Sequence, residues 1–226
     1  MRRTLAKASL HSALNLLFFA VLGTIVLSST YLLTRDTIAQ SVETEKLKLI
    51  AQIVPQDSYD NNIVQSTLDL PPDELLGTEE TSIGYRATLK GEPSVVVLQP
   101  VAPDGYSGKI FLIVAIRSNG EVSGVRVVSH HETPGLGDYI EVAKNPWIKQ
   151  FDGQSLTNHT AQDWQVKKDG GKFDSMAGAT ITPRAVVKAV HKAVQYFAKH
   201  RDQLLTQAPP SSPDKSGREG VKEKTK

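Results

Sequence analysis

The chain has 226 residues, with 26 Lys and Arg against 24 Asp and Glu and a formal net charge of +2, enough length for one core-burying domain plus extra segments. That balance, with 6% aromatic residues and no basic stripe interleaved with them, sets nucleic-acid binding aside. The absence of cysteine excludes disulfides, thiolate zinc sites, cysteine-held iron–sulfur clusters and a lipoprotein anchor, and leaves the redox compartment open.

Ala13 to Leu33 runs 21 residues without a charge, which as a helix spans roughly 30 Å, the thickness of a bilayer's hydrocarbon core. Arg2, Arg3 and Lys7 precede it without an acid, whereas Arg35 and Asp36 after it cancel. The positive-inside rule then puts residues 1–12 in the cytoplasm, residues 13–33 across the inner membrane as a single pass, and the rest on the far side. The competing reading is a cleaved signal peptide. Against it, the apolar run exceeds an ordinary signal core, and no small-x-small cleavage site follows cleanly, "LSSTY" being the nearest.

Residues 34–81 are expected as a stalk helix and lead-in. Ile38, Val42, Leu49 and Ile53 share a helical face and Pro55 ends the run. Gln56 to Thr81, polar with Pro71–Pro72, reads as irregular. Residues 82–205 are expected as the folded domain. Ser82–Leu89 and Ser94–Gln99 flank the turn "KGEP", and Lys109–Ile116 joins Glu121–Ser129 through Ser118–Asn119–Gly120, a strong hairpin pattern. The fold class is therefore α+β: an antiparallel sheet, apolar enough to be covered on at least one face, packed with helices and preceded by one transmembrane helix. After a loop "HHETPGLGD", a mixed region with Trp147, Phe151 and Trp164, and a turn "KKDGGKF", a helix is expected over Pro183–Leu205. Its buried face holds Val186, Val190, Ala193, Val194 and Phe197. Residues 206–226, rich in Pro, Ser and Lys, read as a disordered tail.

Candidate chemistry concentrates at "DSMAGATITPRAVV", Asp174 to Val187. Proline favours the first helical turn and a preceding threonine caps it, so Thr182 reads as the cap, worth roughly 1 kcal/mol. Thr180 then lies beside the positive end of the helix, uncovered by Ala177, Gly178 and Ala179. Lys172, Arg184 and Lys188 are available to add positive charge, and a phosphate fits there. From the residues alone, a capped helix without chemistry stands beside that reading. His130 and His131 are neighbours that point to opposite faces of an extended chain, which argues against a metal site. Gly135, Gly137 and Pro134 describe a tight loop able to approach a flat ligand. No Gly-Lys-Ser/Thr phosphate loop occurs, Ile140 replaces the third glycine of a dinucleotide fingerprint, and no hydrolase triad can be placed.

"DSMAGATIT" resembles the Asp-x-x-Ser/Thr-Gly-Ala-Thr signature of periplasmic domains that carry covalent FMN. "APDGYSGKI", "NGEVSGVRV", "HHETPGLGD", "WQVKKDGG" and "GATITPRAVV" extend the likeness over about Ser82 to Phe197. Within that family the chain resembles the G subunits of Rnf (Rsx) ion-translocating electron-transport complexes. The C subunit of the sodium-translocating NADH:quinone oxidoreductase shares the domain, and the loop "HHETPGLGD" with "ITPRAVV" favours the former. The resemblance implies that a flavin transferase uses FAD to esterify Thr180 with the FMN phosphate. It also implies that the segment Glu132–Gly137, with Thr133 beside Glu132, contacts the isoalloxazine; the physical expectation there is backbone donors around Gly135 and Leu136, with Leu136 packed on the ring. Gly178, Ala179, Thr182 and Lys172 would surround the phosphate, and Asp174 would serve transferase recognition or local loop structure. The implied function is a membrane-anchored periplasmic electron relay that works with the other Rnf-type subunits, itself without acid–base catalysis and without metal. A membrane-anchored binding or assembly module without redox activity is the alternative. Ala177 departs from the family's usual Ser or Thr.

Overall fold

The computed structural model describes residues 2–206; Thr206, the first residue of the expected tail, ends the last helix, and residues 207–226 lie outside the described residues. Helix α1 spans Arg2–Ile53, strands β1 Thr67–Leu70, β2 Ser82–Leu89, β3 Glu92–Leu98, β4 Val101–Gly105, β5 Gly108–Arg117 and β6 Val122–Ser129, and helix α2 Ile181–Thr206. Short 3-10 turns, the longest at Pro146–Phe151, fill the segment between β6 and α2. The described residues divide into two units, with the boundary between Lys46 and Leu47.

In the first unit α1 continues without a break through the expected boundary at residue 33, so the anchor and stalk are one helix. It has the length and apolarity to cross a membrane. All its large apolar side chains from Leu10 to Leu33 are exposed, the all-round apolar character that suits lipid. Thr24, Thr30 and Thr34 return their hydroxyls to carbonyls four residues back, at 2.8, 2.9 and 2.8 Å. That satisfies them within the helix itself, as a lipid environment requires.

The second unit begins earlier than residue 82. The last turns of α1 belong to it, and β1 extends the sheet. All strand pairings within the sheet are antiparallel. β5, the longest strand, bonds β6 along one edge and β3 then β4 along the other. β3 and β4 form one lane interrupted at Pro100, which has no amide to donate. The expected turn at "KGEP" closes at Lys90–Gly91, both with positive φ (54° and 83°), the geometry of a two-residue hairpin turn. Glu92 and Pro93 therefore already belong to β3. The β5–β6 loop, Ser118 to Gly120, ends on Gly120 at φ 94°, as three-residue hairpins require.

Period-two alternation sends Ile110, Leu112, Val114 and Ile116 of β5 to one face and Ile113 and Ala115 to the other. On the first face lies α2, whose Val186, Val190, Ala193, Val194 and Phe197 are all buried. On the second lie Ile50, Ile53, Val54 and Ile63. The sheet is thus covered on both faces. Gly124 of β6 is necessary there, since a Cβ would sit 2.7 Å from Ile53 Cγ2, while Ser123 Oγ donates to the Ile53 carbonyl at 2.7 Å and Arg126 Nε to Gln52 at 2.9 Å.

Candidate functional site

Three segments meet at the N-terminal end of α2: the β4–β5 turn, the loop after β6, and the stretch that leads into α2. They enclose a cleft of about 290 Å³ lined by Tyr106, Glu132, Thr133, Leu136, Gly137, Gly178, Ala179, Thr180, Ile181 and Thr182. Seven residues expected at the site, Glu132, Thr133, Leu136, Gly178, Ala179, Thr180 and Thr182, line it together. Gly135, Lys172 and Asp174 do not.

Glu132 is 4% exposed and acts as the fastener of the cleft. Its Oε1 accepts from the Ser107 amide at 3.0 Å, and its Oε2 accepts the Thr182 hydroxyl. This corrects the reading of Thr182 as a helix cap. α2 starts one residue earlier than Thr182, at Ile181, and the Thr180 carbonyl takes the first helical bond, from Arg184 N at 3.3 Å. Thr182 is buried with its hydroxyl committed to Glu132, which leaves Thr180, half-buried, as the accessible hydroxyl at the helix start.

The loop after β6 is a tight turn with Gly135 at φ 76°. Its backbone donors are already spent, contrary to expectation: Gly135 N donates to Asp138 Oδ1 at 2.8 Å, and the Leu136 and Gly137 amides both donate to the Thr133 carbonyl, at 3.1 and 2.9 Å. What the loop offers the cleft is apolar surface, Leu136 being 51% exposed. Asp138 holds the turn from behind. Lys144, 2.9 Å away, donates to its carboxylate and keeps it below the usual aspartate range. His130 accepts from the Glu132 amide through Nδ1 at 2.9 Å, which leaves Nε2–H to donate to Glu141 at 2.7 Å.

The stretch before α2 rests on aromatic rings. Tyr139, Trp147, Phe151, Phe173 and Trp164 follow one another at centroid distances of 5.4, 5.6, 4.8 and 5.2 Å. Trp147 Nε1 donates to the Asp174 carbonyl at 2.7 Å, and the Asp174 amide donates to Gln150 at 2.7 Å. The Asp174 carboxylate meets Lys167 at 2.6 Å, so this residue holds the loop. Met176 to Ala179 form a turn closed by Ala179 N to Met176 O at 3.2 Å, with Gly178 at φ 87° in its third position, as a type II turn needs. Ala177 occupies the exposed corner. A Cβ built at Gly178 would meet nothing within 4 Å, so a bulky group can approach Thr180.

The positive charge comes from a residue other than those expected. Lys172 pairs with Asp163 at 3.4 Å, Arg184 with Asp169 at 2.5 Å, and Lys188 with Asp104 at 2.6 Å. Instead Lys168 places Nζ 3.5 Å from Thr180 Oγ1. Among the described residues, no acceptor meets the amides of Ile181 and Thr182, the orphan donors of a helix start. A phosphate bearing a flat aromatic ring fits this set: an accessible hydroxyl, an adjacent cation, helix-start amides, and apolar side chains at Leu136, Tyr106 and Ile181, which are 51%, 67% and 46% exposed. At about 290 Å³ the cleft is small for a ligand site, so a nucleotide-sized ligand extends past its mouth.

Residues 105–195 match the model of the FMN-binding domain family, and residues 1–53 match that of the RnfG N-terminal region. The chain is 46% identical over 199 residues to the G subunit of the ion-translocating oxidoreductase complex of Pseudomonas aeruginosa (strain UCBPP-PA14), covering 88% of this chain and 93% of the relative. It belongs to the G-subunit family of ion-translocating oxidoreductase complexes. Other G subunits agree: that of Vibrio cholerae serotype O1 (strain M66-2) is 45% identical over 88% of this chain and 95% of its own. That of Aliivibrio fischeri (strain MJ11) is 42% identical over 91% and 96%. The FMN-binding match covers both walls of the cleft, from the β4–β5 turn to the first turns of α2. Between the two subunit types that share the signature, these relatives carry the name of the G subunit.

Proposed function

We propose that this G-subunit family member is a periplasmic flavoprotein, held to the inner membrane by α1, whose FMN is esterified through its phosphate to Thr180. The observation that carries this reading is the Thr180 hydroxyl, accessible at the mouth of the cleft, beside a lysine and at the start of α2. When bound, FMN supplies electron transfer between redox partners. The chain's own residues do the holding: Thr180 provides the ester oxygen, Leu136 and Tyr106 give the ring an apolar surface, and Glu132 fixes both walls of the cleft. Attachment by a flavin transferase forms the bond from Thr180 Oγ1 to the ribityl-side phosphorus of FAD. It breaks that phosphorus's bond to the bridging oxygen, releases AMP, and passes the threonine proton to solvent.

The orientation follows from Arg2, Arg3 and Lys7 ahead of the apolar run. The partners are the other subunits of an Rnf-type complex. The membrane helix raises the flavin's effective concentration beside them. Ion movement belongs to those subunits, because the apolar run Ala13 to Leu33 contains no Asp, Glu, Lys, Arg or His to pass an ion.

Expression with an active flavin transferase should give a band that fluoresces under ultraviolet light after denaturing electrophoresis. Thr180→Ala should abolish that fluorescence entirely and leave the amount of protein unchanged. A dark wild-type band beside a control substrate that fluoresces would instead favour a binding module without redox activity.

A further inference from the structure

Resting on the attachment at Thr180, we infer that Lys168 is the dedicated counter-charge of the phosphodiester, and that this site is matched to a diester rather than to a free phosphate monoester. Around the helix start, the other basic side chains are already paired. Lys167 is taken by Asp174 at 2.6 Å, Lys172 by Asp163 at 3.4 Å, Arg184 by Asp169 through two guanidinium contacts of 2.5 Å, and Lys188 by Asp104 at 2.6 Å. Among the described residues, the one polar contact of the Lys168 ammonium is the Thr180 hydroxyl, at 3.5 Å. That distance is long for a hydrogen bond, and a neutral hydroxyl gives a cation little. Asp169 feels the Lys168 charge, but both of its oxygens are held by Arg184. The Lys168 ammonium therefore stands at the modification point without a carboxylate in contact.

An ester of Thr180 with FMN has a single ionisable phosphate oxygen and carries one negative charge. A free monoester carries between about one and a half and two at neutral pH, as a phosphorylated threonine does. One lysine with the helix-start amides balances the former and leaves the latter in excess. The turn enforces the placement. Gly170 sits at φ 88°, Gly171 N bonds the Val166 carbonyl at 3.2 Å, and Lys167 N bonds the Phe173 carbonyl at 2.7 Å. This short loop presents consecutive lysines in different directions, Lys167 to Asp174 and Lys168 to Thr180.

The test uses the full-length chain in detergent with the FAD-dependent transferase, comparing wild type with Lys168→Ala, Lys168→Glu, Lys168→Arg, Thr180→Ala and, as a charge control, Lys199→Glu. Lys199 is exposed on α2, about 27 Å along the helix from its start. Two readouts are taken: the initial rate of labelling by intact mass, and the rise in melting temperature on going from unlabelled to fully labelled protein. Lys168→Ala should label about fivefold more slowly and Lys168→Glu about tenfold more slowly. Each should lose at least half of the melting increment. Lys168→Arg and Lys199→Glu should stay within twofold of wild type and keep the increment.

Wild-type labelling rates and increments in Lys168→Glu would overturn the inference while leaving attachment at Thr180 intact. Slow labelling with an unchanged increment would overturn it as well, making Lys168 a contact for the transferase. Label retained in Thr180→Ala would overturn the attachment reading itself, and the lysine's role with it.

Discussion

Glu132→Ala is expected to lower the stability of the domain by about 3 kcal/mol, and with it the capacity to be flavinylated. The carboxylate bridges the β4–β5 turn and α2, taking the Ser107 amide on one oxygen and the Thr182 hydroxyl on the other. Hydrogen bonds to charged groups contribute roughly 1.5–3 kcal/mol each, and removing the acceptor leaves the buried Thr182 hydroxyl without a water or protein partner. The surroundings cannot close over the gap cheaply, because the backbone is already tight there. A Cβ at Gly105 would lie 2.2 Å from the Gly108 carbonyl oxygen, and one at Gly137 would lie 3.0 Å from Thr182 Oγ1. For a domain of this size each kcal/mol moves the midpoint by roughly 2–4 °C, so a fall of about 6–12 °C should appear in a thermal melt of the full chain. Glu132→Gln keeps one acceptor oxygen and should lose about 1 kcal/mol. An alanine variant that melts within about 2 °C of wild type, less than a single kcal/mol would produce, would show that the carboxylate does not fasten the cleft.

Gly171→Ala is expected to be worse than its single methyl group suggests. The added Cβ would stand 2.0 Å from the Gln165 carbonyl oxygen and 2.3 Å from its carbon. Both are backbone atoms, so no side-chain rotation relieves the contact and the turn between Val166 and Phe173 has to open. That turn aims Lys168, and Phe173 within it packs at 4.8 Å from Phe151 and 5.2 Å from Trp164. A loss of about 3 kcal/mol or more is expected, with labelling by the transferase reduced in proportion to the displaced lysine. Gly178→Ala gives the contrast. Its φ of 87° strains an alanine, but nothing stands within 4 Å of the new atom, so about 1 kcal/mol is expected. Chemical denaturation of the two variants should separate them clearly; equal midpoints would contradict the backbone clash.

Much of the sheet was legible because its long strands carry their own pattern. β2, β5 and β6 alternate or run apolar between turn residues, and Asn119–Gly120 marks its hairpin. β1 and β4 were not legible. They have four and five residues, and Asp69, Pro103 and Asp104 break any apolar period, so only pairing with neighbours makes them strands. Burial of Ile50, Ile53 and Val54 against the second face was equally hidden. A continuous apolar strand says that it is covered and not by which segment. At the site, the position of Thr180 ahead of a helix could be read from Pro183 and the small residues around it. The assignment of the two threonines' roles could not, because the partner of Thr182 is Glu132, fifty positions away. Lys168 escaped notice for a related reason: several lysines and an arginine lie near Thr180 in sequence, and only the three-dimensional pairing shows which of them remains without a carboxylate in contact. The donors anticipated at Gly135 and Leu136 failed because Asp138 and the Thr133 carbonyl consume them locally, as short polar side chains and tight turns do.

The central proposal is the ester at Thr180, and the most direct measurement is peptide mapping by mass spectrometry on protein purified from its native host. Trypsin releases residues 173–184, "FDSMAGATITPR", which contains both threonines. That peptide should be heavier by FMN less one water, with fragmentation placing the added mass on Thr180 and leaving Thr182 bare. An unmodified peptide from otherwise intact protein, or the added mass on Thr182, would contradict the assignment.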